Sequence, residues 1–137
     1  MSTLLRRTLL AVFVLVLPTL ASAQSATGRK IVPGTYQIVP DPSFAGGIDV
    51  SVFTIRFEGD SLMVTEQSGA TMTRSRTSYQ GDQLQWTDLD GELTCPGVAK
   101  YKVSFSDEGR TVRLTPVEDG CPERSAIIAQ ISLKRQG

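Results

Sequence analysis

The 137-residue chain has no histidine, two cysteines and one tryptophan, and its 14 basic side chains are matched by 14 acidic ones. Each scarcity closes off some chemistry. Without imidazole, no base stands ready to activate a serine or threonine, and no Gly-x-Ser-x-Gly turn presents such a nucleophile. Histidine ligation of haem or zinc is excluded, and two cysteines are too few for a thiolate zinc site. Nucleic-acid binding needs a basic stripe that displaces counterions. Here the short pairs Arg74/Arg76 and Lys134/Arg135 read as solvated faces instead. The chain is therefore expected to be no enzyme, to hold no cofactor and no metal, and to bind no nucleic acid.

Long apolar runs are also missing, except at the N-terminus. Met1–Arg7 carries two arginines and no acid, Leu9–Leu17 is apolar, Pro18 breaks the run, and Ala21-Ser22-Ala23 offers a small-x-small cleavage site. That order predicts a removable signal peptide over 1–23. The run is shorter than the roughly 20 residues a spanning helix needs, so a membrane anchor is the lesser reading and no membrane span is expected in the mature form. Residues 24–33 are polar and small, and read as a flexible lead-in to one domain over 34–137. Loss of Arg6 and Arg7 leaves 12 basic against 14 acidic side chains, a net charge of −2. An exported chain, whether periplasmic or extracellular, sees an oxidising environment, so Cys95 and Cys121 are expected to form a disulfide.

From Gly34 onward, short alternating runs are punctuated by glycine, aspartate and proline. Phe53, Ile55 and Phe57 share one face, as do Tyr101, Val103 and Phe105, then Val112 and Leu114. The last such run places Ile127, Ala129, Ile131 and Leu133 together. Period two with one apolar face signals half-buried antiparallel strands. Gly59-Asp60, Gly81-Asp82, Asp90-Gly91 and Glu108-Gly109 supply turns between them. Glu58, Asp60, Asp82, Asp88 and Asp90 all fall near such turns and read as solvated carboxylates, and Asp88–Glu92 as a turn rather than a calcium loop. About eight strands are predicted, near 34–39, 50–58, 61–67, 71–80, 83–88, 98–106, 110–116 and 126–134. Sequential hairpins favour an all-β, up-and-down antiparallel barrel over a sandwich, because closure removes both exposed edges.

Gly34-Thr35-Tyr36 resembles the Gly-x-Trp opening of lipocalins. Downstream come Tyr79-x-x-Gly81-Asp82-x-Leu84, Asp90-Gly91-x-x-x-Cys95, and Asp119-x-Cys121-x-x-Arg124 before the final strand. On these residues the chain resembles a small secreted bacterial lipocalin-like (calycin-type) domain. The resemblance implies structural roles for Gly34 and for Arg124, which would lie over Tyr36 as a cation–π partner, with Arg135 the less favoured choice for that role. It also implies a barrel able to hold a small apolar molecule.

Tyr36, Phe53, Phe57, Trp86, Tyr101 and Phe105 are the candidate cavity-lining aromatics, with a filled core as the competing reading. Thr71–Tyr79 is polar on both faces and leaves three readings open. It is an edge-like strand in solvent, which the sequence favours; or Thr71, Thr73, Ser75 and Thr77 face inward; or Arg74 and Arg76 do and meet a ligand's carboxylate. Two functions follow. One is a carrier of a small apolar or amphipathic molecule. The other is a filled barrel acting as an envelope protein-binding module, an inhibitor or accessory subunit. The mature chain is expected to be a monomer.

Overall fold

The alternating runs form eight strands that close into one antiparallel barrel, each strand paired with its neighbours in chain order. The computed structural model describes residues 28–137; the signal peptide over 1–23 and positions 24–27 of the lead-in lie outside the described residues. The strands are β1 (Gly34–Pro40), β2 (Phe53–Glu58), β3 (Ser61–Glu66), β4 (Thr71–Gln80), β5 (Gln83–Gly91), β6 (Val98–Ser106), β7 (Thr111–Glu118) and β8 (Ile131–Arg135). β1 pairs with both β2 and β8, which closes the sheet.

Register carries the apolar parity around the barrel. Tyr36 faces Ile55, Ile55 faces Val64, Val64 faces Thr73, and Trp86 faces Thr77 and Ala99. These inward positions are buried or nearly so, whereas Arg56, Arg74, Arg76, Lys102 and Ser104 lie on the outside. A shift of one residue would turn each strand's apolar set to water, so burial fixes the register.

β4 is paired on both sides and so is not an edge-like strand. Its inner face is the hydroxyl row Thr73, Ser75 and Thr77, all buried. Arg74 and Arg76 point outward, and Arg74 pairs with Asp90. Neither arginine can meet a molecule inside the barrel.

Two elements differ from the sequence reading. The strand predicted from 126 is instead a short helix, α1 (Pro122–Ile128), with β8 starting only at Ile131. Pro122 pre-sets the helical φ at the first position, and Glu123 suits the positive end of the helix dipole. The predicted start of β2 at Val50 is a 3-10 turn over Val50–Val52, capped by the Asp49 carboxylate on the Ser51 amide.

The described part of the lead-in is packed. The Ile31 amide donates to the Tyr79 hydroxyl at 3.2 Å, and the Ile31 side chain is buried. Arg29 stacks on Phe105 and Lys30 on Tyr79. Residues 28–33 thus cross one end of the barrel and close it. Tyr36 and Phe57 fill the space just inside, ring edge to ring face at 5.6 Å, with the Tyr36 hydroxyl donating to the Val32 carbonyl at 2.7 Å. At Gly34 φ is +148°, and an added Cβ would press on the Arg135 guanidinium at 3.2 Å. Arg135 donates to the Pro33 carbonyl and lies opposite Tyr36 in the β1–β8 ladder.

Candidate functional site

The other end is open. A cavity of about 430 Å³ enters the barrel there, beneath the loops β1–β2, β5–β6 and β7–β8. Its walls are apolar for most of their area: Ile38, Ile55 and Val64 from the strands, and Ile127 and Ile128 from α1. Ile48 and Leu93, about half exposed, stand at the rim. The volume lies within the roughly 300–1,000 Å³ typical of small-molecule sites.

Of the eight residues proposed from sequence as ligand contacts, Phe53 and Trp86 line this cavity. Tyr36, Phe57 and Phe105 belong to the closed end, and Tyr101 sits behind Trp86 with ring centroids 5.7 Å apart. Those four are core or closure residues, and Arg74 and Arg76 are outside. The cavity wall instead relies on aliphatics and on Thr73, whose alternation the sequence displayed but whose height in the barrel it did not.

One wall is a buried ionic network, and β5 bulges just beyond it. Leu89 is extra in β5, so that Ser75 faces Asp88 while Arg74 faces Asp90. Beyond the bulge, Gly91 allows a close approach to β4: its φ is +119°, and a Cβ there would meet the Met72 carbonyl oxygen at 2.2 Å. Asp88 keeps the inward parity of Leu84 and Trp86, and its side chain is 2% exposed, whereas the bulge after it turns Asp90 outward to meet Arg74. This corrects the reading of Asp88 as a solvated turn carboxylate.

Every oxygen of Asp88 is engaged. Oδ1 accepts from the Trp86 indole N–H at 2.6 Å and the Ser75 hydroxyl at 2.8 Å. Oδ2 accepts from the Cys95 amide at 2.8 Å and Arg124 Nη1 at 2.6 Å. Arg124 then forks onto Asp119, with Nη2 on Oδ1 at 2.8 Å and Nε on Oδ2 at 3.0 Å. Asp119 also accepts from the Cys121 amide and the Tyr101 hydroxyl. The Cys95–Cys121 disulfide joins the two loops whose amides hold the two aspartates.

Arg124 lies over the Trp86 ring, 5.5 Å from its centroid, and not over Tyr36. The expected cation–π role is therefore met on a different aromatic, because α1 holds Arg124 at the open end while Tyr36 belongs to the closed one.

No protein-family model, curated protein or solved structure matches the chain. The fold itself, an eight-stranded antiparallel up-and-down barrel, is consistent with the lipocalin-like architecture that the sequence resembles. Among the described residues no helix is long and apolar enough to cross a membrane.

The network shapes the pH response. Burial alone would raise Asp119, but hydrogen bonds from Arg124, Tyr101 and the Cys121 amide outweigh it and hold the carboxyl below its ordinary value. Burial, then the bond to Asp119, pushes the Tyr101 hydroxyl well above its usual range. Burial opposes charge on Arg124, yet the two aspartates and Tyr101 more than compensate, and the guanidinium stays protonated. A depressed Asp119 contributes stability above the unfolded carboxylate value near ~4, lost as pH falls through the folded one. A raised Tyr101 contributes below its unfolded value near ~10, lost as pH rises through the folded one. Thermal melts should accordingly be flat across mid-range pH and fall at both ends. In Asp119→Asn the acid limb should be shallower; an acid limb identical to wild type would contradict this assignment.

Proposed function

We propose that the protein is an exported, non-enzymatic, lipocalin-like carrier that binds a small apolar or amphipathic molecule at the open end of the barrel. The observation that carries this reading is the apolar cavity itself, bounded at its rim by Ile48 and Leu93 and at its wall by Trp86. A filled barrel would leave only the exterior for function, whereas an open apolar cavity supplies a site for a ligand to leave water. The Cys95–Cys121 disulfide supports export to an oxidising compartment, periplasmic or extracellular.

Trp86 is the sole tryptophan and lines the cavity, so its emission reports entry directly. Titration with a panel of medium-chain alcohols, sterols and quinones is expected to shift or quench that emission saturably. Val64→Phe, which adds volume to the cavity wall, should weaken the response by about tenfold or more while leaving the circular dichroism spectrum unchanged. A flat fluorescence response across the whole panel would refute the carrier.

A further inference from the structure

The polar inventory of the cavity is unusual in being almost fully spent. Asp88 has both oxygens occupied, and Arg124 donates from Nε, Nη1 and Nη2 to the two aspartates. Asp88, Arg124 and Asp119 together carry one net negative charge, all within side chains at most 12% exposed. At the mouth, Glu92 and Glu123 add two more acidic groups to the lining, and Arg124 is its one base among the described residues. An anionic head group would meet carboxylates at the rim and find no free cation below. A cationic head group could approach the rim, but deeper in the cavity it would find only carboxylate oxygens already taken.

Among the described residues, a single buried polar side chain of the wall is unspent. Thr73 is 2% exposed, lines the cavity, and its Oγ1 has no hydrogen-bond partner among the described residues. Its neighbours on the inner face, Ser75 and Trp86, are already bonded to Asp88. A buried hydroxyl without a partner keeps its full desolvation penalty, and such a group in a folded protein calls for an explanation. Rotation about χ1 carries the threonine hydroxyl from one staggered position to the next, so the group has other low-energy orientations in which to meet a partner.

Resting on the carrier reading above, we propose that the ligand is an uncharged amphiphile whose single hydroxyl or carbonyl pairs with Thr73 Oγ1. Its apolar body lies against Ile38, Ile55, Val64 and Ile128, and carboxylates are rejected. The linked ions act as a fully bonded polar wall that fixes Trp86, and they do not serve as a counter-ion for the ligand.

The test compares 1-decanol, decanoate, decylammonium and decane on the mature, disulfide-bonded protein at pH 8, read by Trp86 fluorescence and by calorimetry. Decanol is expected to bind at least about tenfold more tightly than decanoate, and more tightly than either decylammonium or decane. Thr73→Val keeps the shape and removes the hydroxyl. It should weaken decanol by about fivefold, leave decane unchanged, and leave the unliganded melting temperature unchanged or higher. Decanoate or decylammonium binding as tightly as decanol would overturn the proposal while leaving the carrier reading intact. Equal decanol affinity in wild type and Thr73→Val would do the same. No binding by any of the four would overturn both.

Discussion

Arg124→Met is expected to destabilise the protein by about 3–5 kcal/mol, the largest effect of any single substitution considered, because it leaves two buried carboxylates facing each other without their cation. The Asp88 and Asp119 side chains are 2% and 0% exposed, and Arg124 bridges them with three donor atoms. Removing one partner of a buried set costs more than the set contributes net, since the remaining charges keep their desolvation penalty. For a domain of this size the melting temperature should fall by at least about 10 °C. Arg124→Lys retains the charge but not the planar fork that spans both carboxylates, and should recover part of that loss. Because the guanidinium also covers Trp86, both variants should change the tryptophan emission of the folded protein. A loss below about 1 kcal/mol in Arg124→Met would mean that the network is solvated and carries little of the open end's stability.

Removing the disulfide ranks second. Cys95 and Cys121 are separated by 26 positions, and the loop-entropy model assigns such a cross-link about 3–4 kcal/mol. The structure adds a consequence that loop entropy alone would not give. The Cys95 amide donates to Asp88 and the Cys121 amide to Asp119, so the bond holds in place the backbone donors that the network needs. Substitution of both cysteines by alanine and of Arg124 by methionine should thus be non-additive. The combined loss is expected to be smaller than the sum of the separate losses by about 0.5–3 kcal/mol in chemical denaturation. Strict additivity would show that staple and network act independently.

How much of this was legible in the residues differs by element. The strands β2, β3 and β5 to β7 announce themselves by period-two alternation, and the dipeptides Gly59-Asp60 and Gly81-Asp82 mark turns between strands. Barrel closure follows from sequential hairpins and the cost of open edges. The helix α1 was obscured because Ile127, Ala129, Ile131 and Leu133 keep strand spacing across a helix–strand junction. The competing signal was Pro122-Glu123 after Cys121, a helix start.

The site was less visible for a different reason. Alternation tells which residues face inward but not how far along the barrel axis each one lies. Tyr36 and Phe57 therefore looked equivalent to Phe53 and Trp86, although the first two plug one end and the last two line the cavity at the other. On β4, parity alone left open whether the hydroxyls or the arginines face in; the register, which sets Thr73 opposite Val64 and Thr77 opposite Trp86, decides it for Thr73, Ser75 and Thr77. The bulge at Leu89 is invisible in Asp88-Leu89-Asp90-Gly91, which has the composition of an ordinary turn. Asp88 itself keeps the inward parity of Leu84 and Trp86, but its turn-like neighbours masked that signal, and with it the partner of Arg124.

The central claim is that a small molecule enters the barrel at the Trp86 end and nowhere else. The most direct measurement is a ¹H–¹⁵N nuclear magnetic resonance titration of the mature protein with 1-decanol. The single tryptophan gives one indole resonance, from the N–H that donates to Asp88 and Ser75. That signal should shift together with the amides of Ile48, Leu93, Cys95, Ile128 and Ile131 around the cavity, while Arg29, Lys30, Gly59, Gly81 and Glu108 stay fixed at the closed end. Shifts confined to the closed end, or none at saturating decanol, would contradict the account.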